Sequence, residues 1–155
     1  MTQTPTYYAG IDVAKDRLDV VLRPSAEYLE ATNDERGIRS VARLLRNKDV
    51  ALVVLEATGG LEHPAAAALA LAGVPVAIVN PRQVRDFAKA TGKLAKTDRI
   101  DAAVLAHFAE AVRPEPRPLA DEDARELSAV VLRRRQILAM TTAEARAGRA
   151  RPPRQ

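Results

Sequence analysis

Cysteine is absent from this chain of 155 residues. Its absence excludes a disulfide framework and any thiolate metal site, and it suits a reducing cytoplasm. Histidine is scarce: His63 and His107 are isolated in the sequence, and neither is expected to bind metal. Aromatic residues are few as well, limited to Tyr7, Tyr8, Tyr28, Phe87 and Phe108, so no stacking platform for single strands is expected. The opening residues lack the basic start and apolar run of a signal peptide. No apolar stretch approaches the roughly 20 residues that a membrane span needs.

What remains is an ordinary globular composition, 47% hydrophobic and 28% charged, with a net charge of +4. The distribution of charge says more than its sum. Residues 133–154 hold seven arginines and one acid, Glu144. This basic end is a feature separate from the body, and a positive surface points to a nucleic-acid partner.

Along the chain, Tyr7 to Val13 and Arg17 to Leu22 read as two strands of a hairpin, with Glu27 to Thr32 as a third strand. Asn33 is the expected N-cap of a helix over Asp34 to Arg46, where Ile38, Val41 and Leu45 recur at helical spacing. Val50 to Leu55 is a continuous apolar run and predicts a strand buried on both faces between parallel neighbours. A helix over Leu61 to Ala72, closed by Gly73, and a strand over Val74 to Val79 follow. A short helix near Arg82 to Ala90 ends at Gly92, and another runs from Thr97 or Asp98 to about Val112. The proline-rich stretch 113–120 reads as a linker. Residues 121–148 predict one long helix, and 149–155 a disordered basic tail. An antiparallel meander followed by β-α-β units is a mixed α/β sheet. It is also the element order of the ribonuclease H-like fold, here flanked by helices and followed by a long C-terminal helix.

Four carboxylates occupy costly positions. Asp12 lies inside the first strand between Ile11 and Val13, and Glu56 ends the most hydrophobic strand. Burying either requires a partner or a cation, and α/β sheets bind ligands at such strand ends. Asp98 and Asp101 are one turn apart on the stripe continued by Leu105, Phe108 and Val112, which puts both on the core side of their helix. Each has a plain structural alternative. Asp12 suits a turn cap or an ion pair with Lys15, and Glu56 suits a backbone-bonded strand end. Asp98 with Asp101 resembles a helix capping box. Four converging carboxylates offer hard oxygen ligands for two Mg²⁺ ions, with Mn²⁺ as a substitute, in the arrangement that clamps a phosphodiester. Arg82, Arg85 and Lys89 fall on one helical face, followed by Lys93 and Lys96. With Arg99 these form a candidate grip on a nucleic-acid backbone, against the alternative of a solvated charged face.

Three segments, Gly10-Ile11-Asp12-Val13-Ala14-Lys15, Glu56-Ala57-Thr58-Gly59 and Lys96-Thr97-Asp98-Arg99-Ile100-Asp101-Ala102, resemble the N-terminal RuvC-like domain of the insertion-sequence 110 family, the DEDD class of transposases. The resemblance covers about residues 7 to 112. It implies that Asp12, Glu56, Asp98 and Asp101 are the Mg²⁺-binding catalytic acids. It further implies a DNA recombinase guided by a structured RNA, assembled as a dimer or tetramer in the bacterial cytoplasm at the nucleoid, with no membrane partner. The family's second domain carries a nucleophilic serine. Ser25, Ser40 and Ser128 stand in no such context, so transposition is expected to need more than this chain. The segment after the linker resembles the family's coiled coil, with Leu127, Val130, Val131, Ile137 and Leu138 as its stripe. The competing readings are a Holliday-junction nuclease of RuvC type and a non-catalytic module that binds guide RNA or DNA and assembles. A sugar-kinase or ATPase reading would need two phosphate-binding glycine loops where only Gly59-Gly60 exists.

Overall fold

A computed structural model describes residues 6–93, 97–117, 133–134 and 136–143. The chain divides into two units, Met1–Pro118 and Leu119–Gln155. In the first unit, short runs of apolar and aromatic residues punctuated by polar breaks form a meander: β1 (Tyr7–Val13), β2 (Arg17–Arg23) and β3 (Tyr28–Thr32). Next come α1 (Glu35–Asn47), β4 (Val50–Glu56), α2 (His63–Leu71), β5 (Val76–Val79), α3 (Pro81–Ala90) and α4 (Asp98–Val112). The sheet order is β3-β2-β1-β4-β5. The meander pairs antiparallel, while β4 lies parallel to both β1 and β5. The mixed ribonuclease H-like α/β architecture expected from the sequence is therefore present. β4, the continuous apolar run, lies inside the sheet between two parallel neighbours, β1 and β5, as its composition requires.

The pleat sends alternate residues to opposite faces. Ile11, Leu55 and Val53 join Val41 and Leu45 of α1 and Leu69 of α2 on one face. Tyr8, Leu52, Val54 and Val79 meet Val84 of α3 and Leu105 and Phe108 of α4 on the other. α4 lies very close to β1 because Gly10 has no side chain there. A Cβ at Gly10 would overlap backbone atoms of Ala102, Leu105 and Ala106.

Several boundaries shift from the sequence expectation. Asp34, not Asn33, caps α1 and accepts a hydrogen bond from Gly37 N–H at 2.8 Å. Asn33 instead donates to the Ala14 carbonyl across the meander. α2 starts at His63 because Leu61 and Glu62 belong to a folded loop. Val112 leaves the core stripe and is half exposed, and Arg113 ends α4 in the left-handed region. Residues 113–117 form no regular element, as the prolines require.

In the second unit, residues 133–134 and 136–143 are helical, and Ile137, Leu138 and Met140 are exposed. Leu127, Val130, Val131, Arg135, the tail 149–155 and the rest of the expected long helix lie outside the described residues. Among the described residues, no helix is long and apolar enough to cross a membrane.

Candidate carboxylate site

The site follows from strand register. Ile11 pairs with Leu55 across the parallel β1–β4 ladder. Both point to the α1–α2 side, so their successors, Asp12 and Glu56, point to the α4 side as neighbours. Glu56 also lies opposite Val79, which faces the α3–α4 layer. α4 runs antiparallel to β1: the Arg113 guanidinium lies over the Tyr8 ring, and Gly10 abuts Ala102 to Ala106. Two strand residues beyond Gly10 advance about 7 Å. Four to five residues back along a helix cover about the same distance. Asp12 is therefore level with residues 99–100 of α4, between Asp98 and Asp101. The C-terminal ends of β1 and β4 and the first turn of α4 meet at one edge of the sheet.

Asp12, Glu56 and Asp101 are each partly buried, and none of them is without an interaction partner. Among the described residues, which exclude the Asp98 side chain, no three acids or histidines form a group that could hold a metal ion. The fold thus brings the elements together without gathering these side chains into a ready coordination sphere. The donor chemistry nevertheless fits a hard divalent cation. All the side chains in question are carboxylates, and among the described residues β1, β4 and α4 contribute Asp12, Glu56 and Asp101. His107 packs edge-on to Phe87 with its ring centroid 4.9 Å away, on the third turn of α4 and apart from the acids. Its buried Nδ1 has no hydrogen-bond partner. Burial, then the charges of Arg23 and Lys93, hold its pKa below the usual imidazole value.

The capping-box alternative for Asp98 and Asp101 does not survive. Thr97 is the N-cap, and its hydroxyl accepts from Ile100 N–H at 3.2 Å. Asp98 is then the first helical residue and Asp101 the fourth, so neither completes a capping box.

Two acids that sequence reasoning missed stabilise the surroundings. Asp19 on β2 is directly opposite Asp12 in the register and is 1% exposed. Its oxygens accept from Arg17 Nε at 3.0 Å and from the Tyr28 hydroxyl at 2.5 Å. That bond, with burial and the Asp19 charge, pushes Tyr28 up to about 12, so its hydroxyl remains a donor. Glu62 is 3% exposed. Its Oε2 accepts from Thr58 N–H, Thr58 Oγ1 and Gly60 N–H at 3.0–3.1 Å, which ties down the loop that leaves Glu56. Gly59 and Gly60 both have positive φ there, which explains two glycines in the loop. The signal for Asp19 was an acid inside the apolar run Leu18–Leu22, in hairpin register with Asp12. Glu62 carried no signal, because a glutamate before an alanine-rich helix is commonplace.

The basic residues are distributed unevenly. Arg82, Arg85 and Lys89 are exposed on α3 at the expected spacing. α3 starts where β5 ends, at the acid edge, and packs through Phe87 on His107 and Phe108. The stripe therefore leaves the acid edge as it proceeds. Lys93, whose charge reaches His107, is at its far end and not beside the acids. Lys96 lies outside the described residues. Arg99 is exposed on the first turn of α4, with its guanidinium 5.0 Å from the Tyr28 ring centroid.

A family model described as a transposase, of the DEDD insertion-sequence 110 type, matches residues 9–150. The chain is also similar to pilin gene-inverting proteins of Moraxella lacunata and Moraxella bovis. Each is 28% identical over 113 residues, an alignment covering 69% of this chain and 35% of the relative. The chain thus spans about a third of the length of the curated relatives it matches.

Proposed function

This chain belongs to the DEDD, insertion-sequence 110 family of transposases, and on that premise we propose that it supplies the carboxylate site of a DNA recombinase that acts on phosphodiester bonds with Mg²⁺. One observation carries the reading: Asp12 and Glu56 directly follow the paired residues Ile11 and Leu55 on parallel strands, and Gly10, two residues before Asp12, abuts Ala102 just after the first turn of α4. Asp12, Glu56, Asp98 and Asp101 would hold the ions, with Mn²⁺ as a substitute. A divalent ion held there would supply charge neutralisation for the phosphate and a more acidic attacking oxygen.

The chain's own residues do the rest. Arg82 and Arg85, at the start of α3, bind phosphates next to the scissile one, and Lys89 and Lys93 bind phosphates further along the backbone. The partner is DNA, with a structured RNA as guide and further copies of the chain as assembly partners. Strand transfer of the family type would draw in addition on the serine-bearing domain that the family resemblance implies.

Calorimetric titration of Mg²⁺ or Mn²⁺ tests the reading, comparing the unaltered chain with an Asp12→Asn, Asp101→Asn double variant shown to fold. Saturable binding in the first and none in the second is expected. Equal binding, or none in either even with DNA added, overturns the metal reading and leaves a binding and assembly module. Cleavage of four-way junctions by the chain alone would move the reading to a junction nuclease.

A further inference from the structure

Arg99 occupies an unfavourable place. It is the second residue of α4, at the positive end of the helix dipole, where a cation is disfavoured. Its guanidinium lies 5.0 Å from the Tyr28 ring centroid. That ring, on the edge strand β3, also packs against the cluster of Val21, Ala102 and Ala106, the last two on α4. The Tyr28 hydroxyl is fixed in turn by Asp19, which is buried opposite Asp12 and held by Arg17. A continuous chain of contacts thus runs from β2 through β3 to the turn of α4 that bears Asp98 and Asp101. The phenol's two ends have separate tasks: its oxygen is tied to the sheet, and its face receives the cation.

The register adds a second reason for this arrangement. Directly opposed residues on antiparallel strands have Cβ atoms about 5 Å apart, so Asp12 and Asp19 would repel each other if both carboxylates turned toward the edge. Arg17 and Tyr28 occupy both oxygens of Asp19. The charge of Asp19 is thereby met by Arg17 on its own strand and by the Tyr28 hydroxyl of β3, and Asp12 is the meander's contribution to the edge. We propose that Asp19, Tyr28 and Arg99 form a positioning clamp that holds the first turn of α4 over Asp12 and Glu56, so that the acids of helix and strands can share a cation. The clamp rests on the carboxylate-site reading above. None of its members is a catalytic residue; each acts through the acids it places.

The test uses the full chain and two readouts, amide hydrogen exchange at residues 100–104 and Mn²⁺ affinity by electron paramagnetic resonance. Arg99→Gln and Tyr28→Leu are each expected to speed exchange there two- to five-fold, the range for loss of one exposed cation–π contact. Each should weaken Mn²⁺ binding by a similar factor. Arg99→Lys keeps a cation over the ring and should recover most of both. Tyr28→Phe keeps the ring and loses the tie to Asp19, so it should fall between. The Tyr28→Leu, Arg99→Gln double variant should be no worse than the single ones, because the two act as a unit. Additive losses, unmoved exchange, or faster exchange with unmoved Mn²⁺ affinity would each overturn the clamp. An Arg99→Gln variant that changes only DNA binding would also overturn it and return Arg99 to the phosphate contacts. If the unaltered chain takes up no Mn²⁺, the carboxylate reading fails; the exchange cycle then still decides whether Arg99 and Tyr28 hold the helix.

Discussion

The two buried acids near the candidate site are held in different ways: Asp19 by the side chains of Arg17 and Tyr28, and Glu62 largely by the backbone of its own loop. Burial pushes its carboxyl upward, but hydrogen bonds from its own backbone and from Thr58 and Gly60 outweigh that, and its pKa lies below the ordinary value of 4.5. A carboxyl depressed in the folded state contributes stability that is present above its unfolded pKa and lost as pH falls through the folded one. Glu62→Gln is therefore expected to cost about 1.5–3 kcal/mol at neutral pH, the range for hydrogen bonds to a charged group. The difference between variant and unaltered chain should narrow as pH falls below 4.5 and close once it has passed through the lowered folded-state pKa. Urea unfolding at a series of pH values reads both. A gap that stayed constant with pH would mean that the Glu62 charge plays no part. The sequence revealed Asp12 and Glu56 because each is a carboxylate next to apolar strand residues, and burial of a charge needs a reason. Glu62 was not visible in this way, because its donors are backbone groups of a loop whose path depends on Gly59 and Gly60. Asp19 was overlooked because its strand looked complete without it, and its partner Tyr28 is nine residues away on another strand.

Among the elements, α4 connects the core to the edge, and its two halves have different tasks. Ala102, Leu105, Ala106 and Ala109 are wholly buried against the sheet, and small residues there with Gly10 beneath allow the close approach. Its first turn packs less deeply, with Arg99 exposed and Ile100 and Asp101 only partly buried, and the Thr97 cap fixes its backbone. Removing a hydroxyl N-cap costs about 1 kcal/mol. Thr97→Ala is accordingly expected to lower stability by about that amount and to fray the turn that carries two of the four acids. Thr97→Ser should restore both. Calorimetric Mn²⁺ binding alongside thermal unfolding checks the outcome; full affinity in a destabilised Thr97→Ala chain would show that the cap serves the helix and not the site. The elements themselves were largely legible. β4 was identifiable as buried between parallel neighbours from Val50 to Leu55 alone, and α1 from Ile38, Val41 and Leu45. The errors were at ends, where tertiary contacts decide. Asn33 had a better partner in the Ala14 carbonyl, which left the cap to Asp34. Leu61 was drawn out of α2 when Glu62 turned to bind Thr58 and Gly60. Lys93 could not be placed relative to the acids without the direction of α3.

For the whole chain, the charge is more divided than its sum suggests. Residues 133–154 hold seven arginines and one glutamate, so the remaining chain has 17 basic residues against 19 acidic ones. A body with a small negative excess and a carboxylate edge repels a polyanion unless cations intervene. Two modes of DNA binding should therefore separate. The arginine-rich end should bind duplex with a steep salt dependence and no need of divalent ions, since each phosphate it neutralises adds about 0.9 to the slope of log K against log salt. The body should bind only when a divalent ion reduces the charge at the acid edge, with Arg82, Arg85, Lys89 and Lys93 gripping the backbone. Fluorescence anisotropy with labelled duplex, in EDTA and in Mn²⁺, tests this. Substituting Gln for Arg133, Arg134 and Arg135 should lower the salt slope in EDTA by up to about 3 and leave the gain from Mn²⁺ intact. Substituting Gln for Arg82, Arg85, Lys89 and Lys93 should do the reverse, removing the gain and leaving the EDTA slope nearly unchanged. If both sets of substitutions moved both quantities alike, the chain would bind DNA through one continuous positive surface, and the acid edge would have no separate part in holding it.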